Sequence, residues 1–259
     1  MPPAPLDGDR LRAALGAAWA RVEIVEQTAS TNADLSADPQ APDRSVLVAE
    51  YQLAGRGRFE RSWVSPPRAG LTFSVLLRPL VPRARWGWLP LLAGVALAEA
   101  VRDTAGVPVA LKWPNDLLAA RDGRKLAGVL AQTTADAAVI GVGLNVSTDA
   151  AELPAESATS LRQAGAEVDR TELLAAILRR LDHLVTAWTA SGAGAVAGAY
   201  RGLSATLGSP VRVSLADGRS IVGSALDIDA LGRLVVRTAA GDCAVSAGDV
   251  EHLRTPSTG

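Results

Sequence analysis

The sequence has little cysteine, little histidine and no excess of charge of one sign, and each shortage argues against a class of protein. A single cysteine, Cys243, cannot form an internal disulfide, and two distant histidines, His183 and His252, leave few ligands for a zinc site. With 26 Lys and Arg against 27 Asp and Glu, the formal net charge is −1, so no global basic field exists to bind a nucleic-acid backbone. Any anion-binding site must therefore be local.

The chain also lacks a long apolar run. The most apolar stretch, Leu89 to Val101, is too short to cross a bilayer and contains Gly94 and Glu99, so it predicts a buried core helix. The first residues carry acids and prolines before any apolar run, unlike a secretory signal. We therefore expect a cytoplasmic protein in a reducing compartment, with no membrane partner and no structural metal.

The hydrophobic pattern predicts a mixed β-sheet with few helices, followed by a small β-barrel, so the fold class is α+β. The predicted strands of the sheet are Val22 to Glu26, Ser45 to Glu50, Leu71 to Leu77, Val109 to Trp113, Leu126 to Ala131 and Ala138 to Val146. The predicted helices are a short one from Ser30-Thr31-Asn32 to near Pro39, Leu89 to Arg102, and Glu172 to Trp188 with Asp169 or Thr171 as its cap.

Beyond the flexible-looking segment Ser191 to Ala195, the pattern changes to short alternating strands. These are predicted at Val211 to Leu215, Ile221 to Ile228, Leu234 to Arg237 and Cys243 to Ser246. Turns such as Asp217-Gly218 separate them. The sequence thus predicts a large domain over residues 1–206 and a small domain over residues 207–259.

A segment without sustained periodicity, Gly55 to Pro67, predicts a loop that concentrates positive charge. Arg56, Arg58 and Arg61 lie among two glycines, so the backbone can approach a ligand while guanidinium groups meet anionic oxygens. A solvated basic loop is the plain alternative. A nucleic-acid site is less favoured because the basic cluster is confined to one loop of a neutral chain.

Two familiar nucleotide motifs are absent. The run Gly141 to Val146 has valine where a dinucleotide fingerprint needs its third glycine, and no GxxxxGK[ST] sequence occurs. Elsewhere, Lys112 to Asp116 puts a cation, an amide and a carboxylate at a turn fixed by proline, and Lys125 opens the next strand with Gly128 leaving room beside it. Taken alone, these two segments also suit a structural turn with solvated lysines.

Taken together, six segments resemble, in order, the motif series of the biotin protein ligases over roughly residues 25 to 165. They are Ser30-Thr31-Asn32, Gln52 with Gly55 to Arg58, Trp63 to Pro66, Lys112 to Asp116, Lys125 to Leu130 and Gly141 to Val146. The resemblance implies a catalytic sheet related to class II aminoacyl-tRNA synthetases and an SH3-like C-terminal domain. It implies ATP-dependent activation of biotin as biotinyl-5′-AMP, with Mg²⁺, and transfer to a lysine in the biotin carrier domain of a carboxylase.

The resemblance also assigns roles to residues. The implied catalytic residues are Lys125, Arg56, Arg58 and Lys112, because fixed cations lower the cost of bringing the biotin carboxylate to the ATP α-phosphorus. The implied biotin contacts are Ser30, Thr31, Asn32, Gln52, Gly55, Arg56, Gly57, Arg58, Lys125 and Gly128. The implied nucleotide contacts are Arg58, Arg61, Trp63, Lys112, Asn115, Asp116 and Asn145.

Several of these roles have alternatives. Ser30 and Thr31 also fit a helix N-cap, and Trp63 also fits ordinary core packing in place of adenine stacking. Asp116 is expected to orient Lys112 or to bind the metal. The family commonly has glycine where this chain has Glu60, whose carboxylate is expected to point to solvent or to pair with Arg61.

The sequence also suggests two alternative functions. A lipoate or octanoate ligase or transferase shares the related fold and acyl-transfer logic but, as a family, not the GRGR loop. A nucleic-acid-binding repressor is disfavoured because only about 29 residues precede Ser30, too few for the helix-turn-helix domain of bifunctional family members. We therefore expect no DNA partner, while the resemblance leaves a homodimer open.

Overall fold

The computed structural model describes residues 3–59 and 61–253, which form two large β-sheets, a two-stranded ribbon and five α-helices. The helices are α1 (Gly8–Leu15), α2 (Thr31–Ala37), α3 (Leu89–Ala105), α4 (Arg170–Ser191) and α5 (Gly194–Leu203). The larger sheet contains β1 (Arg21–Thr28), β2 (Ser45–Gln52), β5 (Gly70–Leu77), β6 (Val109–Lys112), β7 (Asp116–Ala119), β8 (Lys125–Thr133) and β9 (Ala138–Asn145). The ribbon is β3 (Gly55–Arg56) with β4 (Ser62–Trp63), and short 3₁₀ helices cover Gly16–Ala18, Arg83–Trp88 and Ala150–Glu152.

The larger sheet is mixed, as predicted. Its strand order is β1-β2-β5-β9-β8-β7-β6, in which β1 and β2 run parallel and every other neighbouring pair runs antiparallel. The crossover between the parallel strands contains α2, which packs on one face of the sheet.

Alternating side chains divide this sheet into two faces. On β5, Phe73 and Val75 join the main core beneath α3 and α4, whereas Leu76 joins Leu35 of α2 in a smaller cluster. Each fully buried side chain of this kind contributes about 1.5–3 kcal/mol of transfer free energy. The face covered by α3 and α4 therefore supplies most of the apolar stabilisation, and the face that carries α2 has a much smaller apolar cluster.

A buried ion pair joins the helix-covered face to the N-terminal segment. Glu50 on β2 meets Arg170 of α4 at 2.7 Å, and Arg170 also donates to the Gly70 carbonyl at 3.0 Å. Glu50 accepts from the Leu6 N–H, and Arg170 donates to the Ala4 carbonyl. Both charged groups are thus surrounded by hydrogen-bond partners, which is the condition for burying charge without a large penalty.

The smaller sheet is antiparallel and contains β10 (Pro210–Ser214), β11 (Ser220–Ile228), β12 (Leu234–Thr238), β13 (Gly241–Val245) and β14 (Asp249–His252). Its strand order is β13-β12-β11-β10-β14. Thr206 links it to the larger sheet: its hydroxyl accepts from the Trp113 N–H at 3.0 Å and lies 3.1 Å from Nε2 of His252.

The structure confirms most predicted elements and corrects others. The helix predicted from Glu172 to Trp188 lies within α4, and the Asp169 side chain caps it by accepting from the N–H groups of Thr171 and Glu172. The flexible segment predicted over Ser191 to Ala195 is wrong in its second half, because Gly194 begins α5. The strands β7 and β14 and the helix α1 were not predicted because each is too short to show a clear period. Among the described residues, no helix is both long enough and apolar enough to cross a membrane.

Candidate active site

A cavity of about 200 Å³ lies between the α2 face of the larger sheet and the loop that joins β2 to β5. It gathers residues from segments far apart in sequence. Its lining includes these predicted site residues: Ser30, Thr31, Asn32, Gln52, Arg56, Gly57, Arg58, Arg61, Trp63, Asn115, Asp116, Lys125, Gly128 and Asn145. Two predicted residues, Gly55 and Lys112, do not line it.

Glycines in β8 and β9 make the floor of the cavity. A Cβ atom on Gly143 would lie 2.2 Å from the Trp63 ring, and one on Gly141 would lie 2.3 Å from Oδ1 of Asn32. Because real Cβ atoms do not approach so closely, only glycine allows these two side chains to lie on the sheet. The motif GVGLN therefore has a structural reason: it makes room for groups that line the cavity.

Trp63 packs against this glycine floor and is half-buried. Its indole Nε1–H is buried and has no hydrogen-bond partner among the described residues. This nitrogen lies against Gly143, where an added Cβ atom would be 2.5 Å away, so the sheet covers the donor. Packing on the sheet and contact with a ligand are compatible here, because the ring lies in the cavity wall.

The polar wall of the cavity comes from the start of α2 and the end of β2. The Ser30 hydroxyl accepts from the Ala33 N–H at 3.4 Å, so Ser30 does serve as the N-cap of α2. The amide oxygen of Gln52 accepts from the Thr31 N–H at 2.9 Å. Capping therefore fixes the backbone that presents Thr31 and Asn32 to the cavity.

The positive side of the cavity is centred on Lys125, at the start of β8. Its ammonium nitrogen lies 2.6 Å from a carboxylate oxygen of Asp116 on β7. The expectation that Asp116 orients Lys112 is therefore wrong, because its partner is Lys125. The Lys112 charge acts instead on His252, whose pKa is lowered first by burial and then by that charge. Lys112 and Lys125 are the only lysines of the chain.

The segment from Gly55 to Pro67, here called the arginine loop, closes one side of the cavity and contacts the smaller sheet. The predicted loop contains the ribbon formed by β3 and β4, so it is more ordered than expected. Arg58 donates to the Asn115 side chain at 3.3 Å and to the Gly248 carbonyl at 3.1 Å, while Arg61 forms an ion pair with Asp249. Burial lowers the pKa of the Arg58 guanidinium, and the charges of Asp249 and Asp116 oppose that shift.

Some lining residues were not predicted. Asp249 comes from the smaller sheet, and the segment from Pro154 to Ala158 follows the last strand of the larger sheet. Neither carries a motif, so only the fold brings them to the site. The expectation for Glu60 lies outside the described residues.

The donor set does not form a dedicated metal site. Among the described residues, no group of three or more His, Cys, Asp or Glu side chains could hold a metal ion. The nearest carboxylates, Asp116 and Asp249, already pair with Lys125 and Arg61. A magnesium ion at this cavity would therefore depend on phosphate oxygens of a bound nucleotide, as Mg²⁺ commonly does.

Comparison with known proteins gives matches over nearly the whole chain. The family model "Biotin/lipoate A/B protein ligase family" matches residues 22–149, and "Biotin protein ligase C terminal domain" matches residues 206–253. The chain is 45% identical to a biotin–acetyl-CoA-carboxylase ligase of Mycobacterium tuberculosis, covering 96% of this chain and 97% of that protein. It is 32% identical to a bifunctional ligase/repressor of Bacillus subtilis, covering 88% of this chain and 72% of that protein.

A solved structure gives the same result. The biotin protein ligase of Aquifex aeolicus in complex with biotin and ATP superposes with a TM-score of 0.78 at 29% identity, covering 91% of this chain and 99% of that chain. Both sheets of the present chain therefore belong to one shared architecture.

Proposed function

Because the chain belongs to the biotin protein ligase family, we propose that its cavity performs ATP-dependent biotinylation in two steps. In the first step, a carboxylate oxygen of biotin attacks the α-phosphorus of ATP. The bond between the α-phosphorus and its bridging oxygen breaks, pyrophosphate leaves, and biotinyl-5′-AMP forms. In the second step, a lysine amine of the acceptor attacks the acyl carbon, loses a proton and releases AMP.

The polar wall is suited to the ring of biotin. Thr31, Asn32 and Gln52 offer hydroxyl and amide groups that can satisfy a urea, and the adjoining apolar strands can enclose the rest of the molecule. Arg56, Gly57, Arg58 and Gly128 complete this part of the lining. Gly55 lies outside the lining, and a Cβ atom on it would lie 2.5 Å from the Trp63 carbonyl oxygen. We therefore assign it a role in the close pairing of β3 with β4 and not a direct contact.

Lys125 acts by charge and not as a base. Two anions meet when the carboxylate approaches the triphosphate, and a fixed ammonium lowers the energy of that encounter. The pairing with Asp116 holds the ammonium at the cavity in the absence of ligand. Arg56 and Arg58, which also line the cavity, share the task. Lys112 lies outside the lining and acts through the long-range field of the site.

The nucleotide fits the remainder of the cavity. Trp63 offers an aromatic face, and Arg61, Asn115, Asp116 and Asn145 offer polar contacts. Mg²⁺ enters as part of the MgATP substrate and supplies charge neutralisation for the departing pyrophosphate. The chain's own cations then orient the triphosphate.

The acceptor is the biotin carrier domain of a carboxylase, whose exposed lysine must enter the cavity. We assign the catalytic role to residues 1–206, in a sheet of the class II aminoacyl-tRNA synthetase type, and a supporting role to residues 207–259 as an SH3-like domain. Gly248 and Asp249 contact Arg58 and Arg61, which supports a role for the smaller domain in holding the arginine loop. We propose no DNA partner, and leave a homodimer to a measurement of mass in solution.

The observation that carries this proposal is the convergence of the lysine, the arginine loop and the polar wall on one cavity in a chain of this family. It is tested by ATP–pyrophosphate exchange with purified protein and MgCl₂, comparing biotin, lipoate, octanoate and no acid. Exchange that depends on biotin alone is expected. Exchange with lipoate or octanoate instead would move the chain to the lipoate branch of its family, and no exchange with any acid would overturn the ligase assignment.

A further inference from the structure

A fully buried hydroxyl lies directly behind the polar wall. Ser74 is on β5, outside the cavity lining, and its Cα pairs in register with Gly141 of β9. Its Oγ lies 2.7 Å from the Thr31 hydroxyl and 2.6 Å from Oδ1 of Asn32. Ser74 therefore bridges two neighbouring side chains of the wall without being able to touch a ligand.

Counting protons fixes the direction of these hydrogen bonds. The side-chain NH₂ group of Asn32 donates to the Leu130 carbonyl at 3.2 Å and to the Gln132 side chain at 2.9 Å, so its Oδ1 must accept from Ser74. The Ser74 hydroxyl has one proton, and it donates that proton to Oδ1 of Asn32. The Thr31 hydroxyl then has two acceptors inside the protein, the Ser74 oxygen at 2.7 Å and the Gln52 amide oxygen at 3.0 Å, and its single proton is directed to them.

This direction determines what the wall offers to a ligand. With its proton committed inside the protein, Thr31 presents only lone pairs and is a hydrogen-bond acceptor. Gln52 already accepts from the Thr31 N–H at 2.9 Å through its amide oxygen, so its NH₂ group is the donor at the cavity. An acceptor beside a donor complements a cyclic urea, which carries N–H groups next to a carbonyl, whereas a hydrocarbon chain or dithiolane ring offers neither.

We propose that Ser74 is a positioning residue that, together with Gln52, holds the Thr31 hydroxyl as an acceptor for a ligand. Ser74 also fixes Asn32 in a single orientation, and so gives the cavity its selectivity for a cyclic urea. This inference rests on the proposed function and deepens it. Gln132 on β8 assists from the other end, because its side-chain oxygen holds the Asn32 amide. Ligand selectivity is thus set partly by a residue one layer behind the surface.

The test is Ser74→Ala, which removes the bridging hydroxyl and leaves Oδ1 of Asn32 without its buried donor. The KM for biotin in pyrophosphate exchange should rise about tenfold, since an unsatisfied buried group and a loosened wall both weaken binding. The KM for ATP should stay within about twofold, because the nucleotide contacts do not involve this chain of hydrogen bonds. Desthiobiotin keeps the cyclic urea and should lose affinity by the same factor.

Ser45→Ala is the matched control. Ser45 is also fully buried in a strand of the same sheet, and its hydroxyl donates to the Pro42 carbonyl at 2.8 Å, away from the cavity. Ser45→Ala removes a buried hydroxyl in the same way and should leave the KM for biotin and the KM for ATP unchanged. Ser74→Thr keeps the hydroxyl and should restore most of the affinity for biotin, provided that its melting temperature matches the wild type.

Two results would overturn the role of Ser74. One is a Ser74→Ala protein that keeps the wild-type KM for biotin. The other is a Ser74→Ala protein whose KM values for biotin and ATP rise equally, while its melting temperature falls by the same amount as that of Ser45→Ala. Both are read against a wild-type enzyme that shows biotin-dependent exchange. Failure of that wild-type reaction would count against the proposed function instead.

Discussion

Two ion pairs on opposite faces of the larger sheet differ in burial and in the number of their hydrogen-bond partners. Behind the sheet, the side chains of Glu50 and Arg170 are 3% and 7% exposed and hold further backbone partners. In the cavity, Lys125 and Asp116 are 34% and 23% exposed, and each has room for another partner. A charge with all its partners inside the protein stabilises the fold, whereas a charge with partners to spare can bind a ligand.

The largest effect is expected from breaking the pair behind the sheet. Arg170→Ala leaves the Glu50 carboxylate buried without its cation, which costs about 3–5 kcal/mol of unfolding free energy. For a chain of this size the melting temperature should fall by about 6–20 °C. Thermal unfolding followed by circular dichroism measures this.

The control for this prediction replaces both partners, Glu50→Gln with Arg170→Met. It removes both charges, so most of the lost stability should return. If Arg170→Ala melts within about 2 °C of the wild type, the pair does not have the structural role assigned to it.

The pair in the cavity should respond in the opposite way. Lys125→Ala removes the cation that meets two approaching anions, so the rate of biotin-dependent pyrophosphate exchange should fall about 10²–10³-fold. The melting temperature should change little, because the ammonium is partly solvated. Adenylate formation near the wild-type rate would refute the role in charge stabilisation.

A smaller effect should follow from detaching the arginine loop from the smaller sheet. Asp249→Asn removes the charge that holds Arg61, a pair exposed enough to be worth roughly 0.2–1 kcal/mol. The KM for ATP should change by about two- to fivefold. Backbone hydrogen exchange should quicken over residues 56–67.

The matched control is Asp242→Asn. Asp242 pairs with Arg237 in the same sheet with the same side-chain exposures, 64% for the arginine and 47% for the aspartate in each pair, but far from the cavity lining. If both variants alter ATP binding equally, the contact between Asp249 and the loop has no special part in the reaction.

The smallest effect concerns the junction between the two sheets. Burial, and then the charge of Lys112, lowers the pKa of His252 below its ordinary 6.5 in the folded protein. Below pH 6.5 the unfolded chain therefore binds a proton that the folded chain does not, and the contribution of His252 to stability is lost as the pH falls.

His252→Gln should reduce the fall in melting temperature between pH 7.5 and pH 5.5. The exposed His183 on α4 is the control, and His183→Gln should leave the pH dependence unchanged. A His252→Gln profile that follows the wild type at every pH would show that the histidine does not titrate differently on folding.

The elements that the sequence predicts are those whose pattern is visible in a short stretch of chain. The helix α4 was found because eight apolar residues follow one face, and the strands of the larger sheet were found because their cores are rich in valine and leucine. The short strands β7 and β14 have no such pattern. They exist because neighbouring strands supply their hydrogen bonds, which is a tertiary effect.

The site divides in the same way. Ser30, Lys125 and the arginines of the loop belong to sequence motifs, and all of them line the cavity. Lys112 is in a motif as well, yet it lies outside the cavity lining and its charge acts on His252. Ser74 and Asp249 had no motif at all, since their relevance comes from what they touch across the fold.

The scarcity of lysine has a practical consequence. Apart from Lys112 and Lys125, the side chains carry their positive charge on arginine, whose guanidinium stays protonated and is not readily acylated. Biotinyl-5′-AMP is a mixed anhydride, and if it escaped the cavity it would find few lysine amines on the protein that made it. The same property makes an amine-reactive label a footprinting reagent for the cavity: mass spectrometry can compare modification of Lys125 with that of Lys112, which serves as an internal reference.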